Sequence, residues 1–390
     1  MNLGSSRMFV AGTAIATVCL FGAAAGLPAV ASPQAAQPGG AQTPATDRVP
    51  MVEDIFKTVV LLRGIPVDTF FEAMGMFASS MGEDCTFCHA PKAYFDKSFF
   101  AEQTPRIQRA RQMIAMMTTI NNNFFKGERR VTCFTCHGGN QSPRSDPNLA
   151  LQYATPVEDP NVRDFTSDPK LVARDILDTY IKAVGGADRI AQLKSYTGKG
   201  TYEGFDTLKK VPVEIYAKAP NQYTTVVHMD GGASTRTFDG RTGWMAGPDT
   251  PVPLVTLTSG NLDRARLEAL VAFPTSLPQA YSEWRVGRAV LNDEEDFVLQ
   301  ASEGGQPVLN LYFAPSGLLV RLVRWTPTPV GMVPTQIDYS DFRDVAGVKI
   351  PFHRTVSQTY MRMDVELSEI RPNVAIDAAL FARPRAVPRG

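Results

Sequence analysis

Two five-residue stretches, Cys85-Thr86-Phe87-Cys88-His89 and Cys133-Phe134-Thr135-Cys136-His137, decide how this chain is read. Each is Cys-x-x-Cys-His, the attachment signature of a c-type haem. Two thiols add across the two vinyl groups of one porphyrin, so the cysteines must lie about one turn of chain apart. The adjacent His is then held against the iron, which accepts a neutral imidazole nitrogen as proximal ligand. A single copy also fits a redox dithiol or half of a zinc site. Here four of the five cysteines lie in the two motifs and the fifth is Cys19, so no thiol is left as a disulfide partner. A zinc site made of the four motif cysteines is the rival reading. The βαβ pattern expected around a thioredoxin-like pair is missing from the flanks.

The flanks suggest export. Arg7 gives a thin positive start, Met8 to Leu27 is apolar and small, and Ala29-Val30-Ala31 is an A-x-A cleavage site. Residues 1–31 therefore read as a signal peptide. Covalent haem attachment belongs to the extracytoplasmic side, so the two readings agree on a periplasmic or other extracytoplasmic protein, with membrane association left open. Lys plus Arg equals Asp plus Glu at 39 each in 390 residues, which argues against nucleic-acid binding. No later stretch reaches the roughly 18 apolar residues of a membrane span.

The chain is multidomain in outline. Residues 32–48 form a Pro/Ala/Gln/Gly tether expected to be disordered. Residues 49–143 form a mainly α-helical dihaem domain: helices over 52–62 and about 67–80, then a third opened by Thr104-Pro105, a capping hydroxyl with Pro at the first helical position. That third helix carries Ile107, Ala110, Ile114 and Met117 on one stripe and fades at Asn121-Asn122-Asn123. "Helix, turn, Cys-x-x-Cys-His" thus occurs twice, with the first cysteines 48 residues apart. Residues 144–168 form a linker with several prolines. Residues 169–390 form an α+β domain on a curved antiparallel sheet: a helix opened by Asp168-Pro169, eleven strands between Tyr196 and Ile370, hairpin turns at Asp239-Gly240 and Ser316-Gly317, and a helix over 262–272.

A six-coordinate haem iron needs a second axial ligand. Beyond the motif histidines the chain has only His228 and His353, both in the sheet region. Methionine is the simpler source: Met74, Met76 and Met81 precede the first motif, and Met113, Met116 and Met117 precede the second. Methionines also fill gaps in cores. Met74 lies 11 residues before Cys85 and Met113 lies 20 before Cys133, room in each case for a helix to turn back over a ring. Met74 and Met113 are the expected distal ligands, with Met116 and Met117 as alternatives to Met113. His/Met ligation raises the potential and closes the iron, which suits an electron carrier better than peroxide chemistry.

The stretches Ala110-Arg111-Gln112-Met113-Ile114-Ala115-Met116, Ile120-Asn121 and Val131-Thr132-Cys133-Phe134-Thr135-Cys136-His137-Gly138-Gly139, with the first motif, make the segment from Val52 to Pro143 resemble the cytochrome subunit of photosynthetic reaction centres. The resemblance implies His/Met haems on a helix-then-motif scaffold, with Met74 and Met113 as sixth ligands. That family commonly carries four haems and has an Arg after the second motif's His, where this chain has Gly138. The sheet region is similar, more loosely, to LolA-like lipoprotein carriers, at Phe238-Asp239-Gly240-Arg241-Thr242-Gly243-Trp244 and Asp338-Tyr339-Ser340-Asp341-Phe342.

Taken together, the sequence predicts an exported, non-enzymatic electron carrier with two c-type haems. They are anchored at Cys85, Cys88, Cys133 and Cys136 and ligated by His89, His137, Met74 and Met113. Its partners are redox proteins, a membrane-bound complex among the candidates. The alternatives are a carrier of an apolar ligand with ancillary or sensory haems, for which a dry cavity under the sheet is the mark, and a dihaem peroxidase. His228 and His353 read as structural or exposed, Asp293 to Asp296 as a solvated turn, and Trp244, Trp284 and Trp325 as core.

Overall fold

The computed structural model describes residues 48–94, 96–155, 159–204, 207, 209–248, 250 and 252–386. The expected signal peptide, and the tether up to residue 47, lie outside these residues. The chain divides into two units, Met1–Arg48 and Val49–Gly390, and the description below concerns the second.

The helices run α1 (Val52–Ile55), α2 (Val67–Met81), α3 (Pro105–Phe124), α4 (Cys133–His137), α5 (Leu149–Gln152), α6 (Ala173–Ala183), α7 (Ala187–Gln192) and α8 (Ser259–Ala272). Short 3₁₀ turns cover Cys85–Phe87, Pro91–Tyr94 and Lys97–Ala101. Thr104 caps α3 as the sequence predicts, its hydroxyl accepting from the Ile107 N–H at 3.2 Å. The helix expected over 52–62 stops at Ile55. There Lys57 Nζ donates to the Glu53 and Asp54 carbonyls, which closes the turn, and Phe56 is extended. The helix expected from Asp168-Pro169 begins only at Ala173, because the Asp168 carboxylate accepts from the Lys170 N–H and its own N–H donates to the Val286 carbonyl.

Thirteen strands form one antiparallel sheet: β1 (Ser195–Gly204), β2 (Val211–Lys218), β3 (Gln222–Met229), β4 (Gly232–Phe238), β5 (Gly243–Ala246), β6 (Val255–Thr256), β7 (Glu283–Leu291), β8 (Glu294–Glu303), β9 (Gln306–Phe313), β10 (Leu319–Thr328), β11 (Gly331–Val345), β12 (Val348–Gln358) and β13 (Arg362–Pro372). The order is β6-β5-β4-β3-β2-β1-β13-β12-β11-β10-β9-β8-β7. Two meanders are therefore joined where the first strand pairs with the last. The β1–β13 register shifts at Lys199/Gly200, where a Cβ on Gly200 would lie 2.0 Å from the Glu366 carbonyl oxygen; such a bulge bends the sheet. Strands β6 and β7 were not expected from the sequence. β6 has two residues, and Gly287 and the charged Arg285 and Arg288 interrupt the apolar alternation of β7.

One face of the sheet buries the main core, with Leu177, Tyr180 and Ile190 of α6–α7, Leu193 just after them, and Ala265, Ala269 and Leu270 of α8 packed on Ile215, Leu311, Phe313 and Ile337. Toward β7–β10 the other face receives the segment around 160–168. Fully buried Gln300, Asn310 and Tyr312 donate to the carbonyls of Arg163, Val162 and Pro160 at 2.6, 3.2 and 2.9 Å. Asp296, expected in a solvated turn, is instead 3% exposed, and burial raises its pKa.

Candidate haem cavity

Each motif folds as a tight turn with its own cap. The Asp84 carboxylate accepts from the Thr86 N–H at 2.7 Å, and the His89 N–H donates to the Cys85 carbonyl at 2.9 Å. At the second motif Thr132 and Thr135 cap one another: the Thr135 N–H donates to Thr132 Oγ1 at 3.3 Å and the Thr132 N–H to Thr135 Oγ1 at 3.0 Å. In α4 the helical pitch puts Cys133, Cys136 and His137 on one face. Gly138 then takes the left-handed conformation (φ 55°) that ends the helix.

Helix α2 connects the two motifs. It ends at Gly82 in the left-handed region, where a Cβ would lie 2.4 Å from the Gly139 carbonyl oxygen, and the Gly139 N–H donates to the Ser80 carbonyl at 3.0 Å. The end of the helix feeding motif one therefore rests on the end of motif two. Gln141 Nε2 also donates to Glu83 Oε1.

Both motifs open into one cavity of about 1450 Å³, whose lining includes Cys85, Cys88, His89, Cys133, Cys136 and His137. Ligand sites for a single drug-sized molecule occupy roughly 300–1,000 Å³, so this space is of the order that more than one large cofactor needs. Met74 and Met113 line it, as do Met81, Met116 and Met117. The methionines differ in their other contacts. Met76 and Met117 are 5% and 6% exposed and belong to a small core with Leu62, Ala73, Val330 and Val333. Met116 is 47% exposed, while Met113 is partly buried and lies outside that core.

The donor chemistry fits haem. His137 Nδ1 donates to the Asn140 carbonyl at 3.1 Å, which leaves Nε2 as the lone-pair nitrogen, the usual way a ligating imidazole is oriented. Among the described residues, buried His89 Nδ1 has no hydrogen-bond partner. Burial lowers the pKa of this ring, and the Phe100 carbonyl opposes that shift. Burial pushes the Cys133 thiol up to about 11 and also raises Cys88, keeping both as thiols beside an apolar space. Among the described residues no three His, Cys, Asp or Glu side chains gather as a metal-ion site.

His228 and His353 stand apart from this cavity's lining. His228 Nε2 is 3.2 Å from the Glu214 carboxylate and His353 Nδ1 is 2.9 Å from Ser340 Oγ. Trp325 is buried, as expected, at 7% exposed, whereas Trp244 and Trp284 are half-buried.

The sequence reading missed the acidic face of α2. Asp68 and Glu72 lie one turn apart and are 4% and 3% exposed. Asp68 accepts from the N–H and hydroxyl of Thr258, both at 2.6 Å, at the residue that precedes α8. Glu72 lies among Arg324, Arg264 and Arg236. The only sequence signal was an i, i+4 acidic pair, which ordinarily marks a solvated face.

Residues 26–157 match the family model described as "Photosynthetic reaction centre cytochrome C subunit". A curated relative, the photosynthetic reaction center cytochrome c subunit of Thermochromatium tepidum, is 26% identical over 115 residues, which is 28% of this chain and 27% of that protein. The chain thus spans about a quarter of that relative's length. Similar solved structures include a LolA superfamily protein from Nitrosomonas europaea (14% identity, TM-score 0.36, 54% of this chain and 98% of that one). Another is a DUF1329 family protein from Desulfovibrio piger (10% identity, TM-score 0.37, 54% and 96%). Over residues 26–157, the segment that holds both Cys-x-x-Cys-His motifs, the chain is similar to the photosynthetic reaction centre cytochrome C subunit family, a cytochrome c family that implies covalently bound haem and electron transfer.

Proposed function

We propose that this protein is an exported dihaem c-type cytochrome that carries electrons between redox proteins and catalyses no reaction of its own. The observation that carries the reading is the single cavity shared by both sets of thiols and histidines together with Met74 and Met113. Cys85 and Cys88 anchor one porphyrin and Cys133 and Cys136 the other. His89 and His137 would hold the two irons through ring nitrogens, and Met74 and Met113 through thioether sulfurs. When bound, each haem provides a one-electron ferric/ferrous couple. The apolar walls, Phe56, Phe70, Phe77 and Ile114 among them, keep water from the ligating atoms, which together with a thioether ligand favours a raised potential. In domain terms, residues 49–143 bear the cofactors, 144–168 link, and 169–390 form the sheet domain. Residues 1–31 direct export to the periplasmic side. Among the described residues no helix is long and apolar enough to cross a membrane.

A second reading has a specific observation behind it. The cavity continues onto the sheet, where Tyr202, Val227, Met229, Met363 and Val365 line it, as a carrier of an apolar ligand requires. Because this space is continuous with the haem motifs, the cofactors are its first candidates as occupants.

Oxidised and reduced optical spectra of the mature protein test the ligation. A near-infrared Met-to-iron band is expected, and Met74→Ala and Met113→Ala should each remove about half of it. Two haems without that band contradict the methionine assignment, and turnover of hydrogen peroxide would favour the peroxidase reading.

A further inference from the structure

The sheet end of the cavity is strongly charged. Arg236 of β4, Arg264 and Glu268 of α8, Arg354 of β12, and Tyr360 line it, with Arg324 of β10 and Glu72 of α2 behind them. At this end the cavity lining itself thus holds three guanidinium groups, Arg236, Arg264 and Arg354, against one carboxylate, Glu268, while Asp68 and Asp263 lie within electrostatic reach of Glu72 and Arg324 behind it. Arg264 Nε lies 3.5 Å from Glu268 Oε1 without hydrogen-bond geometry. Arg324 Nη2 donates to Thr326 Oγ1 at 2.9 Å. Arg354 donates to Tyr223 Oη at 2.9 Å and Thr225 Oγ1 at 3.3 Å. Arg236 Nη2 donates to the Met245 sulfur at 3.6 Å. Among the described residues, buried N–H groups without a hydrogen-bond partner remain on all four arginines: Arg236 Nη1, Arg264 Nε (ion-paired with Glu268) and Nη1, Arg324 Nε and Arg354 Nε.

An uncompensated buried ion costs several kcal/mol, so a surplus of cationic donors facing an internal cavity is the mark of an anion. The planar guanidinium fork suits a carboxylate. Each c-type haem carries two propionate carboxylates on the porphyrin edge away from the thioethers. Tyr360 links this end of the cavity to the first motif: it lines the cavity with Arg236 and also a smaller recess with Asp84 and Cys85. The other cationic side chains lining the cavity, Lys57, Arg106, Arg109 and Arg111, all lie on the helical side, and Arg111 is already engaged by Thr58 and Gln103.

We propose that Arg236, supported by Arg264 and Arg354, receives a propionate carboxylate of the haem anchored at Cys85 and Cys88, so that the sheet domain supplies that cofactor's anion site. This rests on the dihaem reading above. Arg236→Gln removes a positive charge beside an iron that gains one on oxidation. The oxidation equilibrium of one haem should therefore move about tenfold toward the ferric form, about 59 mV for a one-electron couple, and the other haem should not move. The resonance Raman propionate-bending band, which a remote charge leaves in place, should shift for the same haem, and Arg236→Lys should restore much of both effects. An unchanged propionate band in a variant that still binds two haems overturns the proposal but leaves the dihaem reading intact. A parent protein without haem on Cys85 and Cys88 overturns both. Should Arg236→Gln fail to mature, the haem-loaded parent structure decides. A propionate oxygen within hydrogen-bond distance of Arg236 supports the assignment, and a co-purified organic acid seated there, with the propionates elsewhere, overturns it.

Discussion

At the scale of single residues, the close approach of α2 to the sheet depends on Gly75. A Cβ there would lie 2.4 Å from Thr359 Oγ1 and 2.6 Å from the Tyr360 ring. In an isolated helix Gly→Ala gains about 1 kcal/mol, but overpacking costs about 1–3 kcal/mol. Gly75→Ala should therefore lose stability in chemical denaturation, and a gain would show that the 359–360 turn yields freely. Asp68 gives a pH signature. Burial raises its folded pKa above 3.8, outweighing the hydrogen bonds from Thr258. As pH climbs past 3.8 the unfolded chain ionises first, so the folded state loses stability until the folded pKa is passed. Relative to Asp68→Asn, the parent should weaken over that rise, as urea titrations at several pH values can read; strengthening would refute the sign. The two Cys-x-x-Cys-His motifs were legible in the sequence because the proposed chemistry demands contiguous spacing. Asp68, Glu72 and Arg236 were not, because their meaning comes from partners some 160 to 250 residues away.

At the scale of elements, the helix-then-motif units were readable, since caps and periodicity act within a few residues. Their ends were less so. Helix α3 runs through the Asn triplet to Phe124, because Asn121 turns inward rather than ending the helix. Only 4% exposed, it accepts from the N–H groups of Arg130 and Val131 at 3.1 and 2.9 Å and donates to the Val131 carbonyl at 2.7 Å. It thereby pins the approach to the second motif. Asn121→Ala strands three backbone groups at about 1–3 kcal/mol for each one left buried. Haem content at Cys133 and Cys136 should fall while that at Cys85 and Cys88 is kept; equal loss at both would mean the pin serves the whole fold. Helix α8 was found by its leucines and alanines, yet its Arg264 and Glu268 face inward, where an i, i+4 pair read from sequence suggests solvent.

At the scale of the whole molecule, the helices and the sheet are interlocked. Glu72 and Asp68 enter the sheet side, Arg129 Nη1 donates to the Thr328 carbonyl, and a Cβ on Gly331 would lie 2.8 Å from Met76 Cε. Such an interface predicts a single cooperative thermal transition for the haem-loaded protein, and two well-separated transitions would contradict it. The sequence foretold the curved sheet but gave no sign that one wall of the cavity belongs to it, because the residues that make that wall are scattered over β1, β3, β4, β5, α8, β12 and β13. The most direct test of the account is to mature the full chain in a host that attaches c-type haem, then locate haem by mass spectrometry of its peptides. The account predicts one haem on the peptide with Cys85 and Cys88 and one on the peptide with Cys133 and Cys136. Unmodified cysteines on either peptide in otherwise folded protein would contradict it.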